Sequence, residues 1–168
     1  MIDQWDLIIN DLYEDDYFKR YLLEIIWRSG MSDNITKLII KMLKDKETEV
    51  KSLYVYTYAS VINKISEEIF IELISLLETF STFESISLAV RFIELYYNHR
   101  YFKKSIPLEM KELVLRLLMN NLLWNKKNVS SNTNDIQYNP ISNYEWNGVV
   151  NHLTSKFPET IIEIISKI

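Results

Sequence analysis

The chain has 168 residues, of which 48% are hydrophobic and 25% charged, the balance of an ordinary globular protein. It contains no cysteine, which excludes disulfides, thiolate chemistry and cysteine-ligated metal sites. Its net charge of −4 argues against nucleic acid as the main partner. No apolar run reaches the ~18 residues that span a bilayer, and the N-terminus does not resemble a signal peptide. We therefore expect one cytoplasmic domain over 1–168 with no membrane partner.

Negative charge is concentrated at the start of the chain. The first sixteen residues contain six acidic side chains, among them Asp3, Asp6 and Asp11, and no Lys or Arg. Because attraction between opposite charges steers two proteins together, this segment predicts a protein partner that is basic, bound through these three aspartates.

Helical periodicity and capping residues predict an all-α protein. Asp15 or Asp16 is expected to cap the second helix, because a short polar side chain accepts the free N–H groups of a first turn. Ser32 or Asp33 is expected to cap the third helix in the same way, and Tyr21 is expected to point inward from the second. The expected helices cover residues 3–12, 16–29, 33–45, 48–64, 66–80, 82–101, 107–122, 143–156 and 158–168.

The stretch 48–64 is the most apolar of these helices. Tyr54, Tyr56 and Tyr58 alternate with other residues, so a strand is a rival interpretation. The stretch contains neither Gly nor Pro, however, and its length exceeds that of an ordinary strand. We therefore predict an inner helix that is apolar on most of its circumference and covered on most sides.

The residues around this stretch resemble one family of helical repeats. A helix ends in a short polar turn that carries an aspartate, and the next helix opens with a valine followed by a basic residue. The residues that carry this pattern are Leu43, Asp45, Val50, Lys51 and Ala59. Residues 33–65 thus resemble a HEAT repeat. The resemblance implies stacked antiparallel helical pairs in a right-handed α-solenoid, and it names no activity. Expected helix starts about 34 residues apart also indicate a repeat.

The helix 82–101 is expected to be amphipathic and to begin with a capping box. Ser81 and Glu84 have the spacing at which each side chain bonds the backbone N–H of the other. The same helix carries polar residues at regular intervals, which predicts a stripe facing water. The members of this stripe are Glu84, Ser87, Arg91, Glu94 and Asn98.

A long polar loop is predicted over 128–143, where Asn and Ser are frequent. Loops of this length inside a domain are usually functional or disordered, and we expect this one to be the most mobile segment. Ser142 and Glu145 have the spacing of a second capping box, which opens the last helical pair, 144–168.

No grouping of residues predicts catalysis. His99 and His152 are far apart in the sequence, and neither has a second metal ligand one helical turn away. The paired carboxylates Asp15–Asp16 and Glu67–Glu68 stand at expected helix starts, where capping and the helix dipole account for them. Two glycines are too few for a phosphate-binding loop. We therefore expect no enzymatic activity, no cofactor and no metal.

A cluster of aromatic and basic residues near position 100 is a candidate binding site. Its members include Tyr97, Arg100, Tyr101, Lys103 and Lys104. Nucleic-acid sites combine these residue types, because bases stack on aromatic rings and cations hold the backbone. A helix C-terminus packed beneath a loop has the same composition, so both interpretations stay open.

The last expected helix, 158–168, has more isoleucines than one neighbour can cover. Ile161, Ile164 and Ile165 are expected to face the preceding helix, whereas Ile162 lies about 100° away from Ile161. We expect an exposed apolar strip near Ile162 and Ile168, covered by a further repeat or by a second copy of the chain.

These observations together predict a non-enzymatic protein–protein interaction module or scaffold of the HEAT-like type. One form is a cytoplasmic immunity or inhibitor protein that blocks a basic toxin, and another is a repeat segment of a larger bacterial protein. The alternative is a HEAT-like nucleic-acid-binding protein, such as a DNA glycosylase relative. A continuous positive groove would favour that alternative, and an acidic or mixed apolar face would favour a protein partner.

Overall fold

The computed structural model describes residues 4–29, 32–57, 59–97, 104–124 and 143–166. Every regular element in these ranges is a helix, so the prediction of an all-α protein is confirmed. Packing divides the chain into two compact units, Met1–Leu73 and Ile74–Ile168. The α-helices are α1 (Gln4–Glu14), α2 (Asp16–Lys19), α3 (Leu22–Ser29), α4 (Asp33–Lys44), α5 (Ala59–Ile62), α6 (Glu67–Phe80), α7 (Phe83–Tyr97), α8 (Lys111–Leu118), α9 (Asn121–Trp124), α10 (Asn143–Lys156) and α11 (Thr160–Ile165), with 3-10 helices at Val50–Tyr56 and Leu108–Met110.

In the first unit, α1 and α4 lie side by side and are tied together at both ends. The buried carboxylate of Asp6 accepts hydrogen bonds from Ser32 Oγ at 2.9 Å and Asn34 Nδ2 at 2.8 Å, where α4 begins. Seven residues further along α1, the Tyr13 hydroxyl donates to Glu47 Oε2 at 2.8 Å, just beyond the end of α4. The two helices therefore run in the same direction.

Both caps expected near the start of the chain are present. The Asp15 side chain accepts from the amides of Tyr17 and Phe18, and Ser32 Oγ accepts from the amide of Ile35 at 3.2 Å. The helix expected over 16–29 is divided into α2 and α3, since the Tyr21 amide bonds the Phe18 carbonyl three residues back. Tyr21 lies in the turn at this break, so the prediction that it points inward is wrong, and its side chain is exposed.

The continuous inner helix expected over 48–64 is also wrong. Residues 50–56 form a 3-10 helix, and of the residues that the structure describes in this stretch only Ala59–Ile62 is α-helical. Branched and aromatic side chains lose rotamer freedom in an α-helix, and the sequence from Tyr54 to Thr57 consists of such residues. The tighter i→i+3 winding keeps the apolar contacts, because Leu53 within it is buried.

In the second unit, α7 is the enclosed helix. Eleven of its fifteen residues are buried, and it packs against α8, α9 and α10. The expected polar stripe is therefore wrong at Ser87 and Glu94, both of which are buried. The capping box is also displaced by one residue: Thr82 and Ser85 exchange side-chain-to-amide hydrogen bonds of 3.1 Å.

The last two helices agree with the prediction in part. α10 occupies Asn143–Lys156 as expected, but α11 ends at Ile165 in the part of the chain that the structure describes. Thr160 and Ile164, one turn apart, are the buried residues of α11. This phase turns Ile161 and Ile165 to solvent, contrary to the prediction, and leaves Ile162 exposed as expected. The expected loop 128–143 and Ser142 of the second capping box lie outside the described residues, except for position 143 at the start of α10.

Candidate functional site

His152 has a clear place in the packing of the second unit. Its Nε2 lies 2.7 Å from the carbonyl oxygen of Lys104, and its ring stacks on Tyr97 with centroids 6.5 Å apart. The imidazole therefore donates this hydrogen bond and holds residue 104 against α10. Within the described ranges no three His, Cys, Asp or Glu side chains are grouped so that they could hold a metal ion. His99 lies outside those ranges.

The aromatic and basic cluster near position 100 is only partly described. Tyr97 is 1% exposed, and its hydroxyl lies 3.1 Å from the sulfur of Met110. The neighbouring Tyr96 is buried as well, and its hydroxyl accepts from Lys104 Nζ at 2.9 Å. A base stacks on an exposed ring, so neither tyrosine offers a stacking platform. The other candidates, Arg100, Tyr101 and Lys103, lie outside the described residues.

The remaining candidate residues are divided between buried, exposed and undescribed positions. Asp6 is buried and engaged with the start of α4, which leaves its carboxylate little surface to offer a partner. Asp11 and Ile162 are exposed, whereas Asp3 and Ile168 lie beyond the described parts of the chain.

An exposed aromatic cluster on α2 and in the turn that follows it escaped the sequence analysis. Tyr17, Phe18 and Tyr21 are 62%, 41% and 48% exposed. The ring centroid of Tyr17 lies 5.2 Å from that of Phe18, edge to face, and 5.9 Å from that of Tyr21. The spacing of these aromatics, one and four residues apart, was the available signal. It was missed because a continuous helix 16–29 would have turned Tyr21 into the core.

Helix α1, which packs against both α2 and α3, also exposes apolar side chains. Leu7 and Ile8 on α1 are 53% and 45% exposed. We use the term apolar patch for Leu7, Ile8, Tyr17, Phe18 and Tyr21. Exposed large apolar side chains scattered singly are common on proteins, but five of them on α1, on α2 and in the turn between α2 and α3 are a candidate binding surface.

Acidic side chains accompany the apolar patch. Those exposed on or between the same three helices are Asp11, Glu14, Asp15, Asp16 and Glu24. Of the cations on and between these helices whose side chains the structure describes, Lys19 is paired with Glu47, and Arg20 lies 5.8 Å from the centroid of the Tyr17 ring. The hydrogen bonds from Lys19 and Tyr13 hold the pKa of the Glu47 carboxyl below its usual value, so this pair stays charged and internally neutral. Among the described side chains around the patch, more carboxylates than cations are therefore exposed.

Comparison of the chain with protein-family models, with curated proteins and with solved structures finds no match. The inference of function therefore depends on the residues themselves. Among the helices that the structure describes, none combines the length and the apolar character needed to cross a membrane.

Proposed function

We propose that the chain is a non-enzymatic protein–protein interaction module or scaffold that binds a basic protein through the apolar patch of its first unit. The observation that supports this most directly is the exposure of Tyr17, Phe18 and Tyr21 as one set of contacting rings. Burying such rings on a partner releases water from large apolar surfaces, which is the main favourable term in most protein association.

The composition of the surface indicates the kind of partner. Tyrosine and phenylalanine have only two side-chain torsions, so they lose little entropy when they are fixed in an interface. Exposed carboxylates beside them favour Lys and Arg on the partner and raise the association rate. The partner that fits best presents an apolar face flanked by basic residues, as a basic amphipathic helix does.

The HEAT-like solenoid is the structural part of the proposal. Helices α4 and α6 begin at Asp33 and Glu67, close to the repeat spacing expected from the sequence, and Asp45 follows directly on α4. The 3-10 helix Val50–Tyr56 departs from an ordinary HEAT helix. A cytoplasmic immunity or inhibitor protein that blocks a basic toxin is one form of this proposal, and a repeat segment of a larger bacterial protein is another.

The experiment compares partner binding by two matched variants. In the first, Tyr17 and Tyr21 are both replaced by Ala. In the second, Tyr144→Ala removes a tyrosine that is also exposed, at 73%, in the second unit. Affinity capture with the full chain and mass spectrometry would identify the partner, and titration of the purified partner would follow.

We expect the double variant to lose at least tenfold in affinity for the purified partner, because aromatic anchors contribute most of the binding energy of an interface. Tyr144→Ala should bind like the unaltered chain. Equal binding by the double variant and the unaltered chain would refute the proposal. Capture of DNA or RNA in place of a protein would favour the nucleic-acid alternative.

A further inference from the structure

A groove of about 470 Å³ lies between α1 and α4 of the first unit. One wall is α1, which contributes the carboxylates of Asp11 and Glu14, and the other is α4, which contributes the ammonium groups of Lys37 and Lys41. The two helices are parallel and are joined by hydrogen bonds at both ends. The acidic wall and the basic wall therefore lie opposite each other along the groove.

The two charged walls face each other without pairing. Among the residues that the structure describes, Asp11, Glu14 and Lys37 make no hydrogen bond or ion pair. Lys41 lies over the ring of Tyr13, whose centroid is 4.7 Å from its Nζ, and is also attracted electrostatically to Glu47. A groove with unpaired opposite charges on its two sides is complementary to a ligand that presents both charges at once.

The floor of the groove is apolar. Tyr13 and Leu38 line it and are both largely buried, which leaves a narrow apolar strip between the charged walls. The methylene stems of Lys, Arg or Glu lie along such strips while their charged ends reach outward.

We propose that this groove binds an extended segment of the protein partner in which a basic residue and an acidic residue are adjacent. Successive side chains of an extended chain point in opposite directions, so the basic side chain reaches Asp11 and Glu14 while its neighbour reaches Lys37. The charged residues on each wall are three or four positions apart on their helix, which spans roughly 5–6 Å. An extended chain rises ~3.3 Å per residue, so the groove holds about two residues. The inference rests on the proposed function, since the segment belongs to the partner that the apolar patch binds.

The test uses the purified full chain and an array of acetylated hexapeptides whose two central positions sample every pair of residues. We expect the unaltered chain to retain pairs of opposite charge most strongly. The variant Asp11→Asn/Glu14→Gln should lose the preference for a basic residue, and Lys37→Gln the preference for an acidic one. Exposed ion pairs are weak, so each neutralised side chain should reduce binding about two- to fivefold.

Two controls separate this inference from the proposed function. Lys64→Gln, an exposed lysine of the same unit away from the groove, should leave the array pattern unchanged. The variant Tyr17→Ala/Tyr21→Ala should also keep that pattern, although it loses the whole partner. An array with no preference for opposite charges, or a preference that the wall variants do not change, overturns the groove proposal. If partner binding still depends on Tyr17 and Tyr21 in that case, the proposed function stands without it.

Discussion

The Tyr13 hydroxyl donates a hydrogen bond of 2.8 Å to the Glu47 carboxylate, 34 residues away in the sequence. This bond fixes the end of α1 beside the end of α4, and the Tyr13 ring forms part of the floor of the groove between them. The ring also lies under two cations, with its centroid 4.4 Å from Lys19 Nζ and 4.7 Å from Lys41 Nζ. The Tyr13 side chain thus joins the end of α1 to the end of α4 and also lines the candidate groove.

Tyr13→Phe tests this relationship, because it removes the hydroxyl and keeps the ring. We expect the free energy of unfolding to fall by about 1 kcal/mol, the usual net value of one hydrogen bond, with some further cost because the acceptor is charged. Urea unfolding of the purified chain measures it. The groove should keep its apolar floor, so hexapeptide retention should hardly change. A loss below a few tenths of a kcal/mol would show that water replaces the hydroxyl at no cost.

Glu47 predicts the direction of a pH dependence. Its pKa lies below the ordinary value of 4.5, first because Lys19 donates a hydrogen bond to its carboxylate and then because Tyr13 does. A carboxyl with a lowered pKa in the folded state contributes stability above its unfolded pKa, and this contribution disappears as the pH falls through the folded pKa. We expect part of the stability to be lost below about pH 4.5. Between pH 3 and 6 the melting temperature of Glu47→Gln should change less with pH than that of the unaltered chain. Equal changes of melting temperature with pH in the two proteins would contradict this prediction.

The N-caps of α2 and α4 were predicted correctly from the sequence, although the capping box expected at Ser81 and Glu84 is displaced by one residue. Asp15 and Ser32 cap α2 and α4 as expected, because a cap requires only a short polar side chain and the amides two or three residues ahead. The bounds of α6 and α10 were close to prediction for a similar reason, since their apolar periodicity is uninterrupted.

Features that depend on helical phase were harder to predict. The interruption at Tyr21 and the 3-10 winding at Val50–Tyr56 leave the apolar spacing of the sequence almost unchanged, so that spacing does not reveal them. Tyr21 is exposed in the turn between α2 and α3, and Ile165 is exposed because α11 buries Thr160 and Ile164, although the spacing of both residues suggested burial. The aromatic cluster could not be recognised before that phase was known, and the groove depends on α1 and α4 being parallel, which no local pattern reports.

The acidic surface beside the apolar patch predicts how the partner associates. Replacing Asp11, Asp15 and Asp16 by Asn should slow association about tenfold at low salt, because exposed charges act mainly on the encounter, and should speed dissociation by no more than about the two- to fivefold expected for the groove contact of Asp11. The unaltered chain should associate more slowly as ionic strength rises, and the variant should show a weaker salt dependence. Stopped-flow kinetics with the purified partner measures both.

Asp15 is the N-cap of α2, so one control is required for this experiment. A variant with Asp15→Asn alone should bind at a rate close to that of the unaltered chain, because Asn caps a helix almost as well as Asp and only one charge is lost. If the single variant is as slow as the triple variant, the effect comes from the cap and not from long-range attraction.

Asp6 provides the last prediction, since it is a buried carboxylate that accepts two hydrogen bonds. Ser32 Oγ donates to it at 2.9 Å and at the same time accepts from the amide of Ile35 at 3.2 Å, so Asp6 orients the hydroxyl that caps α4. Asp6→Ala leaves Ser32 and Asn34 without their acceptor, so we expect the free energy of unfolding to fall by about 2–3 kcal/mol. Asp6→Asn keeps one acceptor oxygen and should cost less.

Asp11→Ala is the matched control for Asp6, because it removes an exposed aspartate from the same helix and should change stability by less than about 0.5 kcal/mol. Amide hydrogen exchange at Ile35 distinguishes the mechanism. If Asp6 acts through the cap, the Ile35 amide should exchange faster in Asp6→Ala than the loss of global stability alone explains. If its exchange follows global stability only, Asp6 stabilises α1 against α4 without orienting the Ser32 hydroxyl. The parallel alignment that forms the groove would then depend directly on the Asp6 contacts at one end and on the Tyr13–Glu47 bond at the other.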